Sequence, residues 1–173
     1  MIIDVLGGGP APLVVVADDD GTVVASGFAE VDRVVALAPQ AGGAEPGRLP
    51  DVRAAWDDYL AGDVTALDRV AVRQVGSPVR TEVWTALRGI PAGEPVSYGE
   101  LADVIGRPLA ARAVGSACGA NHVAPFVPCH RVIAGNGSLG GYGYGLPIKR
   151  WLLDHEARSQ PVAGAQARSV TAQ

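Results

Sequence analysis

The chain has 173 residues, 14 Lys and Arg against 18 Asp and Glu, and a formal charge of −4. Its 48% hydrophobic content can fill a core, which excludes wholesale disorder, and the length admits one domain or two small ones. No apolar run reaches the roughly 20 residues of a membrane span, Met1 leads to Asp4 without a basic stretch, and two cysteines are too few for a disulfide framework, so a reducing, cytoplasmic address is expected.

In chain order, Leu13 to Ala17 and Thr22 to Phe28 are β-branched runs around the turn sequence Asp18-Asp19-Asp20-Gly21, which predicts a β-hairpin. The Asp triplet reads as a solvated turn rather than a metal site. Residues 39–50 are rich in Pro and Gly and read as a loop. Val52, Ala55, Trp56, Tyr59 and Leu60 are spaced as one helical face, closed by Gly62, and Val70 to Val72 reads as a further strand. Residues 1–76 are therefore expected to form a small α+β domain of antiparallel strands and a helix, with no recognisable chemistry of its own.

Gly76-Ser77-Pro78 reads as a domain junction and a helix start, with Ser77 as cap and Pro78 at the first helical position. Val83, Trp84 and Leu87 give that helix its apolar face, and Gly89 ends it. Ser97-Tyr98-Gly99-Glu100 is a capping box opening a short helix through Ile105, and Pro108 is expected to start a second one running to Ala120. Two short helices around a tight turn make a helix-turn-helix. Residues 77–158 thus read as a mostly helical second domain, and 159–173 as a disordered tail with no assigned role.

The second of these helices is smooth. Between Leu109 and Ala120 only Arg112 is both large and polar, and Gly115 and Gly119 each cost about 1 kcal/mol against alanine. The glycines serve either close packing on another helix or close approach to a nucleic-acid groove. A smooth surface with one Arg suits a minor groove or a gap in the base stack better than major-groove reading. Charge leaves both open. Residues 1–76 carry 12 acidic and 5 basic side chains, whereas residues 77–160 carry 6 and 8.

The chemistry centres on Phe126-Val127-Pro128-Cys129-His130-Arg131-Val132-Ile133. A cysteine beside a histidine suggests an activated thiolate, against the plainer reading of an inert core cysteine. On an extended chain neighbouring side chains point to opposite faces, so His130 would reach the sulfur only through a water and would need a third group to orient its ring. Asp154 and Glu156, on an expected amphipathic helix from Ile148 to Ala157, are the candidate carboxylates. The loop Gly140-Gly141-Tyr142-Gly143-Tyr144-Gly145 could cover a planar ligand, but it lacks the spacing of a nucleotide cradle.

Pro128-Cys129-His130-Arg131-Val132 resembles the active-site signature of the O6-alkylguanine-DNA alkyltransferases, the methylated-DNA–protein-cysteine methyltransferases. The resemblance extends in order and spacing through Val83 to Leu87, Ile90 to Glu94, Ser97 to Ala102, Ala111 to Gly115, Asn121 and Leu152 to Glu156, covering residues 77–158. Over residues 1–76 it is architectural only, a ribonuclease-like α+β unit.

This resemblance implies irreversible, single-use transfer of an alkyl group from O6 of guanine, and O4 of thymine, in double-stranded DNA to Cys129. The target base would be flipped from the duplex, because a stacked base cannot reach a buried sulfur. It implies that His130, oriented by Glu156, acts through a water to favour the thiolate, and that Asn121 braces the turn before the acceptor. Tyr98 would press on the target phosphate and donate to the base, while Arg112 fills the vacated stack. Ala111, Gly115 and Ser116 would lie along the groove, Val132 would help read the guanine edge, and Tyr142, Gly143 and Tyr144 would form the lid. No cofactor, no metal, no membrane and a monomer are expected.

Three departures stand out: Val79 in place of a frequent aromatic, Gly143 where some relatives place Ser, and Tyr144, bulkier than the Gly of some relatives and expected to narrow the pocket. Cys118 reads as a small helix residue, and His122 and His155 as packing or solvated. The alternatives are a non-catalytic lesion sensor of the same fold, a cysteine hydrolase, which would need imidazole directly beside sulfur, and a regulatory DNA-binding module.

Overall fold

The computed structural model describes residues 1–159, so the tail expected over 159–173 lies, apart from Ser159, outside the described residues. Strands β1 (Ile2–Leu6), β2 (Leu13–Ala17) and β3 (Val23–Gly27) form an antiparallel meander. A two-residue strand, β4 (Glu45–Pro46), adds parallel to β1, giving the order β3-β2-β1-β4.

The hairpin is the expected one. Its turn carries Gly21 at φ 85°, and Asp20 Oδ1 accepts from the Thr22 amide at 2.9 Å. Asp18 and Asp19 pair with Arg73 and the N-terminal amine, so the triplet is a solvated turn.

Three expectations for residues 1–76 change. The sheet is not wholly antiparallel, because β4 joins it within the supposed loop, where a 3-10 turn (Pro39–Ala41) also forms. Strand β1 was hidden by Asp4, a carboxylate inside an apolar run. Asp4 is buried and accepts from the Leu49 amide at 2.9 Å and from Arg53 at 2.5 Å, so its charge is compensated. Val70 to Val72 makes no strand and contributes one parallel bridge, Val72 to Val23.

Helix α1 (Val31–Val35) packs Val34 against the outer face of the sheet with Val14, Val16 and Val24. Helix α2 (Pro50–Leu60) starts with Pro50 in its first turn and buries Val52, Ala55, Trp56 and Tyr59. Each such large side chain contributes about 1.5–3 kcal/mol of transfer free energy.

Helix α3 (Pro78–Arg88) is capped by Ser77 Oγ, which accepts from the Arg80 amide at 3.4 Å. Helix α4 (Tyr98–Val104) carries the full capping box: Ser97 Oγ accepts from the Glu100 amide at 3.1 Å, and Glu100 Oε2 from the Ser97 amide at 2.6 Å. Helix α5 (Ala111–Gly119) starts three residues later than Pro108 suggested. Residues 105–110 are spent on the turn, with Gly106 at φ 70° and the Ala110 amide on the Arg107 carbonyl at 2.8 Å. Trp84 Nε1 donates to the Ala117 carbonyl at 2.8 Å and locks α3 to α5.

Two short parallel strands, β5 (Val96–Ser97) and β6 (Val132–Ile133), place the start of α4 beside the segment that follows Cys129. Helix α6 (Leu146–Ser159) closes the chain. One apolar core runs from Leu6, Trp56 and Tyr59 through Val83, Leu101 and Val114 to Leu152, continuous across position 76. Ser26 stitches the halves further: its amide donates to the His122 carbonyl and its hydroxyl to the Ala124 carbonyl, both at 2.8 Å. No described helix is long and apolar enough to cross a membrane.

Candidate active site

Pro128 interrupts regular pairing, and the chain turns. Cys129–Arg131 is a single 3-10 turn at the mouth of β6, not an extended strand. Asn121, just past α5, holds this turn. Its Nδ2 donates to the Val127 carbonyl at 2.8 Å and to Cys129 Sγ at 3.1 Å, and its Oδ1 accepts from the Val123 amide at 3.1 Å. The bond to the sulfur itself was not expected. Burial pushes the Cys129 thiol up, and Asn121 and Lys149 offset this only in part, so the resting group is a thiol.

His130 does not touch Cys129. Its Nε2 lies 2.8 Å from Glu156 Oε1, with both side chains fully buried. Burial pushes Glu156 up, but the His130 and Arg131 donors outweigh it and hold the carboxyl at about 2. An ionised carboxylate only accepts, so the shared proton sits on Nε2 and Nδ1 is the basic atom. Burial lowers the proton affinity of His130, with the Glu156 charge opposing. Among the described residues, nothing pairs with its buried Nδ1. Asp154, the other candidate carboxylate, is exposed.

Arg131 and Lys149 complete the support. Arg131 places Nε on Glu156 Oε2 and Nη2 on Oε1, each at 3.0 Å, and Nη1 on the Ile90 carbonyl at 2.7 Å. Lys149, fully buried, donates to the carbonyls of Val132, Leu139 and Gly141 at 2.6, 2.5 and 3.1 Å. It thereby ties the start of the glycine-rich loop to β6. Lys149, Leu152 and Glu156 fall at positions i, i+3 and i+7 of α6, so their common buried face was readable from the spacing.

Cys129 opens onto a cavity of about 270 Å³. Of the expected residues, Asn121, Tyr98, Gly115, Tyr142, Gly143 and Tyr144 line it with Cys129. His130 and Glu156 do not line it. Val132 does not line the cavity, and its carbonyl is engaged by Lys149. Arg112 and Ser116 are exposed on α5, and Ala111 is half-buried. Gly115 and Gly119 are not demanded by internal packing: a Cβ at Gly115 would meet only the Tyr98 ring at 3.9 Å, and at Gly119 nothing within 4 Å. The close-packing reading of the smooth helix is thereby removed.

Several lining residues escaped the sequence. Cys118 is more than a helix filler; it faces the cavity, its thiol pushed up to about 12 by burial and by neighbouring Cys129. Arg33 reaches over from α1, donates to the Gly143 carbonyl at 3.2 Å and stands over the Tyr144 ring at 5.8 Å. No local signal marks Arg33, because its partners lie 110 residues away. His155 packs, as expected, stacked on Trp151 with its Nε2 on the Tyr59 carbonyl at 2.7 Å.

A helix-turn-helix lies beside a buried, braced thiol, an arrangement that combines the geometry of DNA-binding helices with that of a cysteine nucleophile. Comparison with known proteins gives the family. The family described as "6-O-methylguanine DNA methyltransferase, DNA binding domain" matches residues 78–158. A methylated-DNA–protein-cysteine methyltransferase of Salmonella typhimurium is 51% identical over 111 residues, 64% of this chain and 63% of that protein's length. The enzyme of the same name from Mycobacterium tuberculosis is 47% identical over 117 residues, 68% of this chain and 70% of its own. The crystal structure of Mycobacterium tuberculosis OGT in complex with DNA superposes with a TM-score of 0.77 at 34% identity, covering 94% of this chain and 96% of that one. The chain belongs to the methylated-DNA–protein-cysteine methyltransferase family.

Proposed function

We propose that this protein repairs double-stranded DNA by moving a methyl or other small alkyl group from O6 of guanine, and from O4 of thymine, onto Cys129 Sγ. The observation that carries the reading is a cavity floored by the one sulfur that a carboxamide holds, Asn121 Nδ2 at 3.1 Å, with a smooth, exposed α5 at its rim. The lesion enters flipped, with Arg112 in the stack and Ala111, Gly115 and Ser116 along the groove. Tyr98 bears on the phosphate and base, and Tyr142, Gly143 and Tyr144 cover the base.

The Cys129 proton leaves through a bridging water to His130 Nδ1, while Glu156 compensates the imidazolium that forms. The thiolate attacks the alkyl carbon. The S–C bond forms, the C–O6 bond breaks, and its electron pair passes to the purine, which takes up one proton, offsetting the one the thiol gave up, and is restored as guanine within the strand. The product thioether has no leaving route, so each molecule reacts once. The protein acts as a monomer and needs no cofactor.

The test is a duplex carrying one O6-methylguanine, followed by peptide mass analysis. One added methylene on the Cys129 peptide, absent in Cys129→Ala, is the expected result. Binding without added mass would make the protein a lesion sensor instead.

A further inference from the structure

Glu156 takes donors from two separate stretches of the chain. Its Oε1 accepts not only from His130 and Arg131 but also from the Tyr59 hydroxyl at 3.0 Å. Tyr59 is the only one of these donors supplied by residues 1–76. It lies outside the cavity lining, fully buried on α2, its ring stacked on Trp56 at 5.5 Å and tilted against His155 at 4.9 Å. Packing alone would be served by phenylalanine, and a buried hydroxyl costs free energy unless it is bonded. The hydroxyl is spent on the one carboxylate that orients His130.

We propose that Tyr59 is a positioning residue for the transfer, holding the Glu156 carboxylate for His130 and drawing charge from it so that Nδ1 remains free of a proton near neutral pH. This rests on the reading given under Proposed function. The other charged or titratable groups around this carboxylate and imidazole are Arg131 on the acceptor turn, Lys149 on α6 and Tyr142 on the loop, with His155 on the Tyr59 carbonyl and ring and Cys129 next to His130 in the chain. None of them replaces the donor on Oε1 that Tyr59 supplies. Without it, Arg131 still keeps Glu156 ionised, but the less dispersed charge binds the His130 proton more firmly. The base form then appears only at higher pH.

The experiment compares the full chain with Tyr59→Phe in single-turnover transfer from an O6-methylguanine duplex, from about pH 5 to about pH 9, a range that brackets histidine titration. Transfer is expected to fall roughly three- to tenfold on the acid side, converge with the parent at alkaline pH, and leave duplex affinity within about twofold. A superimposable profile, or an equal loss at every pH, would overturn the proposal. Nitrogen-15 NMR titration of the His130 ring is the second readout: an upward shift in Tyr59→Phe supports it, and an unmoved ring refutes it. If the parent transfers nothing, the reading of the activity fails, while the ring titration still decides the role of Tyr59. Should Tyr59→Phe not fold, 3-fluorotyrosine in place of Tyr59, a stronger donor of nearly the same shape, is expected to move the acid limb and the ring titration downward, and no movement would sink the idea.

Discussion

Tyr144 donates its hydroxyl to the Ser26 carbonyl at 3.2 Å and so lays its ring against Gly27 of β3. A Cβ added at Gly27 would sit 2.0 Å from the Tyr144 hydroxyl oxygen. Gly27→Ala must therefore expel the Tyr144 ring or strain β3. Overpacking of this kind costs about 1–3 kcal/mol. Urea unfolding of the variant is expected to show a loss in that range, and parental stability would refute the contact.

The same ring lines the cavity. Tyr144 packs edge-on against Phe28 and Tyr142, with ring centroids 6.0 and 5.7 Å apart, and cannot swing aside freely. Tyr144→Gly should react faster with benzylguanine than the parent, by roughly tenfold if steric exclusion near 1.4 kcal/mol is relieved. Equal rates would show that the substrate's bulk lies elsewhere.

Asn121 makes three buried hydrogen bonds, and Asn121→Ala leaves the Val123 amide and the sulfur without theirs, while the Val127 carbonyl keeps only the Cys129 amide at 2.9 Å. A stability loss of about 2 kcal/mol is expected, since each unsatisfied buried group costs about 1–3 kcal/mol. Methyl transfer should fall further than stability explains, because the thiolate loses its nearest donor. Thiol alkylation by iodoacetamide against pH would then show a later onset in the variant, and an unchanged onset would sink this role.

Glu156 gives stability a definite pH dependence. Its folded value of about 2 lies below the ordinary 4.5, so its contribution is complete above pH 4.5 and lost as pH falls toward 2. The size is about 3 kcal/mol as an order of magnitude. His130 acts in the same direction, since burial disfavours its charged form and acid must charge it. Denaturation melts are expected to lose stability steeply below pH 4.5. Glu156→Gln should be weaker at pH 7, with Arg131 left buried and uncompensated, and should have a flatter acid limb. An acid limb as steep as the parent's would assign the acid sensitivity to other groups.

Much of the fold was readable locally. The hairpin, the capping box at Ser97 and Glu100, and the apolar faces of α2 and α3 each rest on neighbours within a few residues, where turn chemistry and helical spacing act. The errors had specific causes. Asp4 hid β1 because its partners, Leu49 and Arg53, are far along the chain. Pro108 suggested a helix start, but the turn needed residues up to Ala110 for its reversal.

The Pro128 to Val132 motif, the helix-turn-helix and the smooth α5 are properties of contiguous residues, so the sequence by itself determined the protein's family and singled out Cys129 as the acceptor proposed here. What surrounds that atom depended on the folded chain. Arg33 on the loop, Tyr59 on Glu156, Ser26 against the segment after α5 and Cys118 facing the cavity are contacts made across many residues or across helix faces. Spacing carries no information about such pairs. They exist because burying the shared core brings two stretches of chain together, and buried polar groups then take the partners that the packing leaves within reach.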